Sequence, residues 1–365
     1  MIEWPELIFF GVFFNTLRLS TFAILLLCCK LTWAQTHKSD SLTKQELRRW
    51  QKAHNIIDLT SDLSLKFYMV NKANEITHHD GATRKNIIYR PNESLNVGFG
   101  TSYKWLSLNM AFDLPFINKD DDIFGETKRF DIQGECFFHK FVLDAGYQWY
   151  KGYYGSNPDT YDSGFDPQTP VYPIRPDIKT HRLSLSTLFI FNHQKFSYRH
   201  AFAFNEIQKR SAGSFIGGVY LHSYRMTADS ILIPVQLRDQ VNLAADFRDV
   251  RYINMGISGG YAYNLIFLKH LYISTSLAVG VGPDIEIIPE RNGINNTIKI
   301  DSTPLGLVRI AVGYNGYKWF GGIALFGTSS GSKEDNESYL QREVNNIKLH
   351  LGFRMDPPNK IKSLF

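Results

Sequence analysis

Leu271-Tyr272-Ile273-Ser274-Thr275-Ser276-Leu277-Ala278-Val279-Gly280-Val281-Gly282 alternates without a break. Leu271, Ile273, Thr275, Leu277, Val279 and Val281 share one face, and Tyr272, Ser274, Ser276, Ala278, Gly280 and Gly282 share the other. A strict period of two marks a β-strand, because successive side chains leave opposite sides of the pleat. One face here is apolar and the other polar or small. The pattern returns near the end of the chain, where Ile347, Leu349, Leu351, Phe353 and Met355 alternate with Lys348, His350, Gly352 and Arg354. It also runs through 196–205, where Phe196, Tyr198, His200, Phe202 and Phe204 oppose Ser197, Arg199, Ala201, Ala203 and Asn205. That stretch reads as a strand.

Working outward, such segments come in pairs joined by short turns: 95–103 with 106–114, 129–138 with 141–150, 182–191 with 196–205, 252–267 with 271–287, and 302–312 with 318–328. Longer polar connections, 118–127, 152–180 and 329–342, separate the pairs. Short turns alternating with long loops are the signature of an outer-membrane barrel, with turns on the periplasmic side. With 63–70, 214–226 and 346–355 the count is odd, and bacterial single-chain barrels are even. Adding 230–238, despite Pro234, restores parity. The expectation is an all-β, transmembrane antiparallel up-and-down β-barrel of about 14 strands, with 12 as the fallback.

A soluble β-protein alternates as well, so the lipid assignment rests on further features. The strands are about 10 to 12 residues long, as a tilted membrane strand requires. Tyr103 and Trp105, Trp149 and Tyr150, and Tyr317 and Trp319 stand near strand ends, where interfacial aromatic girdles form. Lys66, Asp113, Arg129, Asp131, Gln133, Glu135, Asp144, Gln148, Arg199, Lys348 and Arg354 all fall in phase on the non-apolar face. A soluble barrel with its apolar face inward would enclose no such set, because its interior is core. In a membrane barrel that set lines the lumen.

Composition agrees. The 365 residues carry a net charge of +5 with 21% charged and 14% aromatic residues. Such a chain is neither disordered nor, with its scattered Lys and Arg, shaped for nucleic acid. Residues 1–34 read as a signal peptide: Arg18 precedes an apolar run from Leu19 to Cys29, and Thr32 and Ala34 satisfy the small-residue rule for cleavage. A further apolar stretch, 7–14, leaves open a retained anchor. Cys136 is then the single mature cysteine. Residues 35–60 read as a periplasmic arm with a short helix over 43–57, capped by Thr43 and Glu46. The barrel follows over 61–355 and a tail over 356–365.

Five ordered pieces resemble a known family: Tyr89-Arg90-Pro91-Asn92, Lys151-Gly152-Tyr153-Tyr154, Phe196-Ser197-Tyr198-Arg199, Ser211-Ala212-Gly213-Ser214 and Gly259-Gly260-Tyr261-Ala262-Tyr263-Asn264. That family is uncharacterised, a domain of unknown function from predicted Gram-negative outer-membrane barrels. The resemblance covers residues 57–355 and implies the location. It brings no activity.

No catalytic constellation can be traced. His222 and Ser223 are adjacent on a strand and point to opposite faces, so they cannot act as base and nucleophile. Asp120, Asp121, Asp122, Asp159, Asp162 and Asp166 read as solvated loop carboxylates, and their spacing matches no calcium loop. His78-His79-Asp80 lacks further spaced metal ligands. No cofactor or metal is expected. The lumen residues Lys66, Asp113, Arg129, Asp131, Glu135, Asp144, Arg199, Lys348 and Arg354 carry the functional signal, either as a selective constriction or as a salt-bridged plug. The first expectation is a passive channel or transporter for a small solute in the bilayer of the outer membrane. A structural or surface-interaction barrel with a closed lumen is the alternative, and a membrane-embedded hydrolase the third.

Overall fold

Leu277 is 58% exposed, while Ser276 beside it is 4% exposed. The apolar face of the deciding strand therefore looks outward and the small, polar face inward. This is the reverse of a soluble barrel. The computed structural model describes residues 55–80, 85–92, 95–113, 120–138, 140–168, 170–238, 248–289, 296–302, 304–330 and 339–362. In chain order its elements are β1 (Ile56–Asp58), β2 (Leu63–His79), β3 (Asn86–Arg90), β4 (Asn96–Tyr103), β5 (Leu106–Asp113), α1 (Asp121–Phe124), β6 (Lys128–Phe137), β7 (Phe141–Gly155) and β8 (Ile174–Ile190). There follow α2 (Arg199–Phe202), β9 (Glu206–Gln208), β10 (Ala212–Thr227), β11 (Asp249–Phe267), β12 (Leu271–Val281), β13 (Pro283–Pro289), β14 (Asn296–Ser302), β15 (Leu305–Asn315), β16 (Trp319–Ser330), β17 (Tyr339–Met355) and α3 (Asn359–Lys362).

The barrel has 12 antiparallel staves: β2, β4, β5, β6, β7, β8, β10, β11, β12, β15, β16 and β17. β17 pairs with β2 along its whole length, from Met355 opposite Leu63 to Tyr339 opposite His79. Closure satisfies every edge, which a membrane span needs because lipid offers no hydrogen bonds. Outward stand Phe99, Phe130, Phe215, Ile257, Leu277, Val279 and Leu351. Inward stand Lys66, Gln148, Asn254, Ser276, Asn315 and His350.

The barrel is thus the 12-strand fallback, and two expected strands are absent. The 196–205 stretch is not a stave. It lies on the long connection between β8 and β10, carries α2, and is buried on both of its faces. The 230–238 stretch, with Pro234, is a loop with one short 3-10 turn, Val235–Leu237. A proline cannot donate to a ladder. The expected signal peptide and most of the 43–57 helix lie outside the described residues. Ile56–Asp58, at the end of that expected helix, pairs instead as a strand with Glu206–Gln208.

Several staves run past the apolar belt. β2 and β17 extend far beyond the stretches 63–70 and 346–355, and β7 and β8 continue to Gly155 and back to Ile174. The extensions pair with β3 and with the β13–β14 hairpin, building a crown on the long-loop side. At the bulge after Lys151, Gly152 sits at φ 96°, and a Cβ there would meet the Glu126 carbonyl oxygen at 2.2 Å. Only glycine fits that bend.

Candidate functional site: a lumen closed by the chain itself

Residues 191–211 enter the barrel from the short-turn end, the end that faces the periplasm in outer-membrane barrels generally. Phe196, Tyr198, Phe202 and Phe204 pack in one cluster with inward residues of the wall, among them Tyr272, Phe320 and Phe326. Ala262, Ala278, Ala311 and Ala324 face them. Small wall residues leave the volume that the plug's aromatic rings fill. Phe204 stacks on Phe320 with centroids 4.6 Å apart and planes 7° apart.

Polar bonds hold the plug to the wall. Asn315, fully buried, donates through Nδ2 to the carbonyls of His200 at 2.8 Å and Glu206 at 3.0 Å. Its Oδ1 accepts from Arg354 Nη2 at 2.5 Å. Arg354 also donates to the Phe204 carbonyl, at 2.6 Å, and to that of Gly316. Asn264 Nδ2 donates to the Ser197 carbonyl at 2.9 Å and to Gln208 Oε1 at 2.8 Å. Tyr198 Oη donates to Ser276 Oγ at 2.7 Å. Within the plug, Arg199 pairs with Glu206 at 3.1 Å and donates to the Phe137 carbonyl.

Above the plug lies a belt of charge. Lys72 pairs with Asp131, which also accepts from Gln148 Nε2 at 2.8 Å. Arg309 pairs with Asp144 at 2.8 Å and lies over the rings of Tyr198, Phe202 and Phe326. Lys348 lies 4.9 Å over Tyr68, and Lys66 5.8 Å over Phe204. Glu135 stands within electrostatic reach of Lys66, Arg309 and Lys348.

Of the nine residues singled out from the sequence, Lys66, Asp131, Glu135, Asp144 and Lys348 meet in this belt. Arg129 shares their face of β6, toward the long loops. Asp113 closes β5 opposite Asn96, and its side chain lies outside the described residues. Arg199 is a correction, since it sits on the plug rather than on a stave. Arg354 stands on the last stave but grips the plug. Lys72, Arg182, Arg309 and Arg342 were missed. Parity would have found them: Lys72 and Arg342 keep the phase of Lys66 and Lys348 once β2 and β17 are extended, and Arg182 and Arg309 keep the inward phase of Ser184 and Ala311.

At the long-loop end the loop after β10 folds over the lumen. Leu232, Ile233 and Leu237 are buried against Ile87, Tyr89, Tyr161 and Ile178. Arg175 and Asp177 latch it. Arg175 pairs with Asp177 at 2.9 Å and donates to the carbonyls of Ile231 at 3.0 Å and Ser230 at 2.9 Å. Asp177 Oδ2 accepts from the backbone N–H of Asp229 at 3.1 Å and Ser230 at 3.3 Å. Both latch residues lie on β8 beyond the outward apolar band that starts at Leu183. Burial alone would raise the Asp177 pKa, but the Arg175 guanidinium and the Ser230 backbone N–H bring it down to about 2.

His222 faces the lumen, and Ser223 follows on the other side of the pleat. His79 bonds Asn86 at 2.6 Å and Gln341 at 2.9 Å. Asp120 and Asp121 accept from Asn92, whereas Asp162 and Asp166 cap the turns at Gly164 and Gln168. Among the described residues no group of three or more His, Cys, Asp or Glu is placed to hold a metal ion.

A family model described as a domain of unknown function, DUF4421, matches residues 59–355. No curated protein matches significantly. Among solved structures, the outer membrane protease OmpT of Escherichia coli is similar at 9% identity and a TM-score of 0.34, over 80% of this chain and 96% of that one. The toluene transporter TodX of Pseudomonas putida is similar at 7% identity and a TM-score of 0.28, over 81% and 90%. OmpT of Vibrio cholerae, at 7% identity and a TM-score of 0.28, covers 80% and 98%. Likeness at this level carries no argument about activity.

Proposed function

We propose, for a chain that belongs to the DUF4421 family of unknown function, that it is a gated outer-membrane barrel: closed at rest by its own 191–211 segment and passing a small polar solute when that segment withdraws. The carrying observation is how the plug is held. It crosses the lumen without joining the barrel's ladder: its backbone pairs with Ile56–Asp58, ahead of the first stave, and its polar contacts with the wall are side-chain bonds, among them those with Ser64, Asn264, Asn315, Arg354 and Ser276, which can be exchanged for water. A passive, permanently open pore fits this arrangement poorly. In this reading the chain is exported by its N-terminal segment, cleaved after Ala34, and inserted in the outer membrane of a Gram-negative bacterium.

A second reading, a structural or surface-interaction barrel with a permanently closed lumen, draws support from the aromatic core that the plug shares with the wall. Single-channel recording of the refolded protein separates the two, after heat-modifiable gel migration confirms folding. The gated reading expects a silent wild type and discrete steps when 196–208 is replaced by a short Gly-Ser turn. A folded but silent plugless variant would favour the permanently closed barrel. A wild type with a steady open pore would overturn both.

A further inference from the structure

We infer that the outer half of the lumen contains a binding site for a small oxyanion, a phosphate or the carboxylate of a small acid, built around Arg182 and Arg342. The inference deepens the gated-passage reading by giving the chemical class of its solute, and rests on that reading only for the ligand's route.

β8 and β17 stand diametrically opposite in the barrel, six staves apart in either direction. Each sends one arginine into the same cavity. Arg342 reaches across the lumen to Asp284, at 2.7 Å, and lies 3.8 Å over the ring of Tyr252. Its charge is thereby matched, but its Nε is buried without a partner among the described residues. Arg182 has neither an ion pair nor a hydrogen bond among the described residues. The carboxylate that acts on it, Asp131, is already paired with Lys72. A guanidinium inside a barrel without a counter-charge is a strong demand for an anion, since desolvated charge is stable only when paired.

A second observation points the same way. Asn254, 1% exposed, lines the cavity with neither its Nδ2 nor its Oδ1 partnered among the described residues, and the same holds for the Tyr224 hydroxyl beside it. The cross-strand register brings these groups together: Arg182 pairs with Tyr224, and His222 with Asn254. The bordering carboxylates, Glu75 and Glu343, occupy outward positions of β2 and β17, where Glu75 takes both Arg90 N–H groups and Glu343 accepts from Gln341 at 2.6 Å. The inward lining therefore offers donors with one unmatched positive charge. The open space holds roughly three waters, or one oxyanion in their place. Planar guanidinium groups suit phosphate and carboxylate, which they bind through two parallel N–H donors.

The full mature chain is refolded in chloride, in inorganic phosphate and in acetate, so that the anion need not pass a closed end. Affinity is read by calorimetry, and stability by the midpoint of the heat-modifiable gel shift. Phosphate, acetate or both raise the midpoint over chloride, and the anion with the larger shift identifies the source. Arg182→Gln weakens binding roughly tenfold to a hundredfold, the loss of one charged hydrogen bond. Asn254→Ala, which removes no charge, weakens it less. Equal midpoints in all three salts, or binding unchanged in a folded Arg182→Gln barrel, would overturn the site. Anion binding by a barrel that stays silent without its plug keeps the site and removes the passage.

Discussion

Asn315→Ala tests the plug directly. The side chain bonds two plug carbonyls, those of His200 and Glu206, and orients the Arg354 guanidinium that grips a third, that of Phe204. Alanine leaves two buried carbonyls short of a donor, at about 1 kcal/mol each, and undoes the orientation in which Arg354 makes its charged bond to the third, worth about 1.5–3 kcal/mol. The plugged state loses about 4 kcal/mol relative to the released one, and the ratio of the two shifts roughly a thousandfold. The wall itself keeps its ladder, so the barrel stays folded. Hydrogen exchange of the 196–208 peptide, measured in proteoliposomes by mass spectrometry, reads the shift as faster exchange confined to that segment. In a planar bilayer the same variant shows brief openings that the wild type lacks. Asn264→Ala, losing two neutral bonds worth about 1 kcal/mol each, falls between them. Unchanged exchange of 196–208 in a folded Asn315→Ala barrel would refute the idea that these bonds keep the plug in place.

The remaining expectations concern other parts of the molecule. Arg199→Ala leaves Glu206 buried without its partner and costs about 3–5 kcal/mol of plug stability, much of which returns in Arg199→Met with Glu206→Gln; exchange of the plug in a double-mutant cycle measures both. Leu277→Arg places a charge on the lipid face and costs about 2–4 kcal/mol near the midplane, whereas Ser258→Asn on the lumen face is far milder; reversible unfolding from vesicles compares them. The Asp177 latch has a pKa lowered to about 2, below the ~3.9 of an unfolded Asp, so its contribution is complete above about pH 4 and is lost as pH falls through about 2. Protection of the Asp229 and Ser230 amides, corrected for intrinsic exchange, should therefore hold from pH 7 to 4, vanish in Asp177→Ala, and drop only near pH 2.

Most of the wall was legible because alternation is a local signal, and lipid outside with polar lumen inside leaves it uncorrupted over each span. The plug was not. Phe196 to Asn205 alternates as well as any stave, yet the 271–282 stave puts only Leu, Ile, Thr and Val on its lipid face, and this one mixes His200 into its aromatic side. It also contains no Val, Ile or Thr, the residues that favour a pleated surface. Counting it as a strand forced a compensating partner on 230–238, and Pro234 was the warning. The lumen charges were legible in phase but not in partnership. Lys72, Arg309 and Asp284 complete pairs across the barrel, and a contact between residues as distant as Asp144 and Arg309 leaves no trace in local spacing.

One carbonyl has a consequence for how the barrel is assembled. The Phe204 oxygen accepts from Ser64 Oγ at 3.2 Å and from Arg354 Nε at 2.6 Å. Ser64 and Arg354 are direct cross-strand partners, one on the first stave and one on the last. The plug comes from the middle of the chain, yet it touches both lips of the seam where the two ends meet. A seam slipped by two residues would carry one donor about 7 Å away and leave the carbonyl with a single partner. A cylinder shut around the plug with both bonds made is thus also a cylinder shut in register.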